Sequence, residues 1–286
     1  MTPPKPALDE TSQSVVKVPN AFLDRIRAGQ ITSVVSIKMM TSNEIPMMCK
    51  IAGHHAVFID MEHSTLDLAA VGQLALACNY VGVSPIVRSP SKSHWHISRI
   101  LDAGAVAVVI PHIDTVQEVK DIVAAGKFAP IGHRGSSSSQ PIFSFQSVPS
   151  AVSNPLLNTE TMIIPMIETI PSLAIVDEIL ALEGVDGLLI GGNDLSCELG
   201  VPAQYDHPLM VDAITNVITA AKQAGKPVGI GGMGSRKDLL EKFFVMGASW
   251  SLSAADIGLL QAGLKSLGKE YQAMNERVCS ARAEPS

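Results

Sequence analysis

Eight short apolar runs, each followed by a stretch with helical spacing, constrain the fold of this chain more than any other feature of its sequence. They are ITSVVSIK from Ile31, HAVFID from His55, SPIVR from Ser84, VAVVIPH from Val106, MIIPMIE from Met162, GLLIGG from Gly187, PVGIGG from Pro227 and WSLS from Trp250. Runs that are apolar almost throughout and rich in Val and Ile suit strands covered on both faces, as in a parallel sheet flanked by helices. The intervening segments STLDLAAVGQLALACNY and DTVQEVKDIVAAG have helical periodicity, and in the second Asp114 can cap the start and Gly126 end the helix. Alternating β and α units joined by right-handed crossovers predict an α/β fold, and eight of them in about 250 residues fit a (β/α)8 TIM barrel. An open doubly wound sheet shows the same alternation, because periodicity carries no information about closure.

The barrel is expected as one domain over 21–278, preceded by a polar, proline-rich segment over 1–20 that is extended or disordered. With 47% hydrophobic and 17% charged residues, the 286-residue chain can bury one large core. A net charge of -6 without any Lys/Arg cluster argues against nucleic acid and favours small-molecule partners. No apolar run is long enough to span a bilayer, and MTPPKPALDETSQS carries no targeting signal. Cys49, Cys78, Cys197 and Cys279 are too scattered for a zinc site or a disulfide scaffold, so a reducing, cytoplasmic setting is expected. Two stretches break the rhythm. Residues 129–158 are too long and too rich in Ser, Pro and Gly for an ordinary connection, and are expected as a functional loop over one barrel mouth. The amphipathic tail 256–275 could close the barrel bottom or dock onto a neighbouring subunit.

In a barrel enzyme the chemistry lies at the C-terminal ends of the strands, and here several runs end in reactive side chains. The second ends in Asp60-Met61-Glu62-His63, the third in Arg88, the fourth in His112 and the fifth in Glu168, while the sixth leads through Gly191-Gly192-Asn193 to Asp194. A carboxylate closing an apolar strand is costly to bury without compensation. Glu168 and Asp194 can each be read as helix caps, but on neighbouring strands they also make a hard-cation site with positions left for a chelating ligand. Arg88 can stabilise a developing oxyanion or simply pair with Glu62. His63, with Asp60 three residues before it, has the composition of a carboxylate-oriented imidazole, and it can equally be structural. His112, His133 and Arg134 are open in the same way. Glycine pairs at 191–192 and 231–232 let backbone N–H groups approach an anionic oxygen, or merely mark sharp turns.

Taken together, FIDMEH, IVR, VVIPHIDT, the stretch beginning PIGHRG, PMIET and LEGVDGLLIGGNDLS closely resemble the HpcH/HpaI aldolase/citrate lyase family of class II pyruvate aldolases. The likeness runs from about Gly29 to Asn275 and is most specific at Glu168-Thr169 and at the G-x-x-D-L-S motif from Gly191 to Ser196. What it implies is a divalent-metal-dependent lyase that cleaves or forms 4-hydroxy-2-oxo acids through a pyruvate enolate. Glu168 and Asp194 would ligate Mg²⁺, Mn²⁺ or Co²⁺, Arg88 would stabilise the enolate, and His63 oriented by Asp60 would be the acid/base. Gly191, Gly192, Asn193 and Met166 would contact substrate beside Arg88. A homohexamer, built as a trimer of dimers with the C-terminal helix on a neighbour, is also implied. Met61, Gly191-Gly192 and Met166 stand where members often carry Gly, Gly-Pro and a polar residue such as Gln.

His112 resembles the histidine of macrophomate synthase, a relative that decarboxylates oxaloacetate, so a decarboxylase sharing the same enolate is the second reading. A Schiff-base aldolase would need a strand lysine, for which Lys38 is the candidate. A non-enzymatic barrel acting as a binding protein should have lost some of the polar strand ends, and none is visibly lost.

Overall fold

A computed structural model describes residues 16–283, and the eight apolar runs are its eight strands. In chain order these are β1 (Thr32–Ile37), β2 (Ala56–Asp60), β3 (Ser84–Arg88), β4 (Ala107–Ile110), β5 (Met162–Ile167), β6 (Leu188–Gly191), β7 (Val228–Gly231) and β8 (Trp250–Ala255). Each pairs in parallel with the next, and β8 returns to β1, with Thr32 opposite Trp250 and one register shift between Val34 and Val35. The sheet is therefore a closed barrel, and the open alternative is removed.

Closure buries both faces of the sheet, which is why the strands read as continuously apolar. Phe58, Ile86, Val109, Ile164, Met166, Leu189 and Trp250 fill the interior. A larger cluster of Val, Ile and Leu lies between the strands and the outer helices. The base is plugged by the helix Ala21–Arg27, capped by Asn20, whose Phe22 meets Trp250 edge-on with ring centroids 5.2 Å apart. Of the N-terminal segment assigned to 1–20, residues 1–15 lie outside the described residues; Asn20 is buried and pairs with the backbone oxygen of Glu160 at 2.8 Å.

Three expectations change. The helix Val116–Gly126 is capped by Thr115 in a capping box with Glu118, and not by Asp114, because the Thr115 hydroxyl accepts the Glu118 N–H while the Glu118 carboxylate accepts the N–H groups of Asp114 and Thr115. The stretch 129–158 leads from a helix into β5, so it lies at the base of the barrel, away from the rim formed by the C-terminal strand ends. It contains the helix Ser150–Glu160, and its Ile142, Phe143, Val148 and Leu157 pack on Val106 and Phe128. Lys127 anchors it: fully buried, its ammonium meets the backbone oxygens of Asn158 and Thr161 at 2.8 Å and Asp186 at 2.7 Å. Finally, the C-terminal helix runs from Asp256 to Ala283 and is exposed along nearly its whole length, so the base is left to the helix Ala21–Arg27. Asp256 is buried and fixes this start, accepting the backbone N–H groups of Lys38, Met39, Met40 and Ile257. Leu259, Leu260, Leu264, Leu267 and Tyr271 along the helix are exposed. No described helix is long and apolar enough to cross a membrane.

The base plug yields a stability prediction. A Cβ at Gly229 would lie 2.1 Å from Cε2 of the buried Trp250 ring. Gly229→Ala should therefore destabilise the fold by about 1–3 kcal/mol through overpacking. Urea titration followed by tryptophan fluorescence reads this, and an unchanged midpoint would contradict the packing described.

Candidate active site

Because the strands are parallel and in register, Lys38, Asp60, Arg88, His112, Glu168 and Asp194 all emerge on one rim. The β2–β3 pairing sets Asp60 directly beside Arg88, and the carboxylate takes the guanidinium with two bonds, 2.9 Å from Nε and 2.6 Å from Nη2. Lys38 Nζ adds a contact of 3.1 Å to the same carboxylate, and the N–H groups of Glu62 and His63 complete its shell. Burial by itself would raise the Asp60 pKa, but the hydrogen bonds and charges of Arg88 and Lys38 outweigh it and hold the value at about 2. On the other side of Arg88, Nη1 lies 2.7 Å from Glu62 Oε2. The arginine is thus clamped between two carboxylates, with three of its five N–H donors engaged and two left over.

Glu62 also reaches His112, with Oε1 2.9 Å from Nε2. His112 has a left-handed backbone (φ 53°), uncommon for a residue with a side chain. Two contacts hold it there: its N–H donates to Glu168 Oε1 at 2.7 Å, and its carbonyl accepts from Lys92 at 2.8 Å. Glu168 is 1% exposed, and its second oxygen, Oε2, is buried without any hydrogen-bond partner. Burial raises the Glu168 pKa above the usual carboxylate range; the His112 N–H and ring oppose the rise, and the charges of Asp194 and Glu62 add to it. Gly191 allows this arrangement, since a Cβ there would stand 2.5 Å from Glu168 Oε2. Immediately after it, the helix Gly192–Glu198 carries a half-buried Asp194 in its first turn, free of ion pairs among the described residues. Asn193 is held by the Tyr205 hydroxyl at 2.6 Å.

These groups border a cavity of about 360 Å³, lined by Lys38, Asp60, His63, Arg88, Met166, Gly191, Gly192, Asn193 and Asp194 together with Phe58 and Leu252. Glu168 and His112 flank it through their contacts with Gly191 and Glu62. One expectation fails in detail: Asp60 accepts the backbone N–H of His63, not its imidazole, because both carboxylate oxygens are taken up by Arg88 and Lys38. The His63 ring is exposed, with Nε2 3.8 Å from Glu62 Oε2. Glu62 emerges as the link between Arg88 and His112, a role that the closely spaced acids of DMEH signal only as composition. His133 and Arg134 do not join the rim; Arg134 pairs with Asp102 at 2.6 Å on the base-side segment. Among the described residues no three His, Cys, Asp or Glu side chains converge as a metal cluster.

A family model described as HpcH/HpaI aldolase/citrate lyase matches residues 39–259. A 4-hydroxy-4-methyl-2-oxoglutarate aldolase of Chaetomium globosum is 32% identical over 224 residues, covering 78% of this chain and 83% of that protein. A pyruvate aldolase of Rhizobium etli is 31% identical over 264 residues, covering 88% and 97%. The crystal structure of an HpcH/HpaI aldolase from Desulfitobacterium hafniense superposes with a TM-score of 0.79 at 26% identity, over 93% of this chain and 98% of that one. Matched in sequence across most of its length and in fold across nearly all of it, this closed barrel with its acidic rim belongs to the HpcH/HpaI aldolase/citrate lyase family.

Proposed function

We propose that this chain is a divalent-metal-dependent class II aldolase, a carbon–carbon lyase that makes or breaks 4-hydroxy-2-oxo acids with pyruvate as the enolate partner. The observation that carries this reading is the orphaned oxygen of Glu168, buried beside Asp194 at a rim that also presents Arg88. An unpartnered buried carboxylate oxygen is costly, and a hard cation relieves the cost. Two carboxylates suit Mg²⁺, Mn²⁺ or Co²⁺, with other positions left to water and substrate. Such an ion, when bound, supplies a Lewis acid that polarises a 2-oxo group.

The protein's own groups provide the rest. Arg88 is rigidly clamped, and its two remaining N–H donors can meet the oxygen on which enolate charge develops, without reorganisation. His63, on the cavity wall next to Glu62, removes the proton of the 4-hydroxyl as the C3–C4 bond breaks, then returns a proton to C3 of the enolate to give pyruvate. Glu62 and His112 keep Arg88 and Glu168 in mutual register. Gly191, Gly192, Asn193 and Met166 form the wall next to Asp194, where the 2-oxo acid head would rest. Lys38 sits on Asp60 as an ion pair, which opposes a Schiff-base role. Oxaloacetate decarboxylation would use the same enolate, and no feature of the site favours it over the aldol reaction.

All described cysteines are free, consistent with the cytoplasm as the proposed location. We also propose a homohexamer in which the exposed apolar face of the C-terminal helix packs on a neighbouring subunit. An uncovered groove on the barrel, lined by Ile31, Leu240, Phe244 and Val245, offers a matching surface. Sedimentation velocity should show a hexamer; a monomer at micromolar concentration would remove this element.

Two further outcomes test the chemistry. Mn²⁺ binding, measured by electron paramagnetic resonance, should weaken at least about 100-fold in Glu168→Gln and in Asp194→Asn, since each removes one of two charged ligands. In the wild type it should weaken tenfold per pH unit on the acid side of a knee lying above the ordinary value of 4.5, because protons compete for a Glu168 whose pKa is raised. Full Mn²⁺-dependent turnover in either variant would overturn the ligand assignment. Arg88→Lys should keep Mn²⁺ binding while lowering kcat for pyruvate release by about 100-fold, as a lysine cannot reproduce the clamped fork; unchanged kinetics would remove Arg88 from the mechanism.

A further inference from the structure

We infer that Lys38 is a specificity-determining residue: its ammonium receives a second carboxylate at the far end of the substrate, so that diacids are preferred over monoacids of the same chain length. The inference rests on the aldolase reading above and adds to it which end of the substrate is recognised, and by what.

In the closed barrel β1 stands four strands from β5, so Lys38 lies across the mouth from Glu168. A 2-oxo acid whose head is gripped at the Glu168–Asp194 side must extend its other end over the cavity, toward the wall built by β1, β7 and β8. That wall carries Ser36, Lys38, Ser235 and Ser253, which are hydroxyl-rich and hold a single cation. Ser36 lies in β1 and Lys38 directly follows its end, and both line the cavity.

Asp60 has partners besides this lysine. Its two oxygens already take a bidentate Arg88 and two backbone N–H groups. Lys38 uses one of three ammonium donors on Asp60, and no other acceptor holds it among the described residues. Partial exposure, 28% for the side chain, leaves the remaining donors open to the cavity. Arg88, the other strand-end cation here, is clamped by two carboxylates and faces the enolate position, so it does not compete for the distal group. An apolar tail would instead leave those donors desolvated without a partner, which disfavours it.

The pair 2-oxopentanedioate and 2-oxopentanoate, which have the same chain length and differ only in carboxylate against methyl at C5, tests this by calorimetry on the Mn²⁺-loaded full chain. The wild type should bind the diacid at least about tenfold more tightly, the gain expected of a charge-assisted hydrogen bond. Lys38→Met should bring that ratio close to one, Lys38→Arg should retain most of it, and Ser36→Ala should lower it about threefold. The ratio of kcat/KM for 4-hydroxy-2-oxopentanedioate over 4-hydroxy-2-oxopentanoate should follow the same order. Equal affinities in the wild type, or an undiminished ratio in Lys38→Met, would overturn the role of Lys38 while leaving the aldolase reading intact. A wild type that binds Mn²⁺ but neither ligand would overturn the aldolase reading and this inference with it. If Lys38→Met does not fold, the arginine and Ser36 variants decide by the same ratio.

Discussion

Pairing between β8 and β1 is the contact on which the rest of this molecule depends. It turns a sheet with two open edges into a ring, buries both faces of every strand, and aligns the eight C-terminal strand ends around one opening. Without it, Lys38 and the residues of β7 and β8 would lie at opposite edges of a sheet, and the wall they share would not exist. Closure also satisfies the backbone groups of both edge strands, removing the surfaces that open sheets must protect. The plug formed by Phe22 and Trp250 seals the base, so the polar side chains gather where the interior opens to solvent.

The rim is built as two linked circuits of charge. Asp60, Arg88 and Glu62 form the first, in which a buried carboxylate stays ionised because its cationic partners outweigh the cost of burial. Glu62, His112, Glu168 and Asp194 form the second, in which carboxylates accumulate and one buried oxygen is left without a donor. The first is internally compensated and rigid, suited to hold a donor fork in place. The second is electron-rich and incompletely compensated, suited to a cation. Glu62 belongs to both, which ties the orientation of Arg88 to that of His112 and, through it, Glu168. The left-handed backbone of His112, held between Glu168 and Lys92, is the local strain that brings its N–H to Glu168.

Most of the architecture was legible along the chain. The eight strands fall within the eight apolar runs, since burial on both faces leaves a signal that local sequence carries directly. Other features required neighbours that are distant in sequence. Thr115 and not Asp114 caps its helix, a difference of one residue settled by where Glu118 folds back. The Ser150–Glu160 helix, with Pro155 inside it and a Ser-rich lead-in, has weak periodicity, and packing on Phe128 and Val106 compensates for poor propensity. Asp60 was read beside His63 because they are three residues apart, yet the strand pairing places Arg88, 28 residues away, directly on its oxygens.

By itself, then, the sequence determined the number and order of the strands and which reactive residues follow them, because hydrophobic period and covalent order set both. Family membership was readable for the same reason, through FIDMEH, PMIET and GGNDLS in order. Only the tertiary structure decided which charges meet: that Arg88 is clamped by Asp60 and Glu62, that Glu168 keeps one bare oxygen against Gly191, and that Lys38 faces the same cavity from the opposite side. Those outcomes depend on closure and register, which bring together side chains from strands far apart in the chain, and no local pattern encodes them.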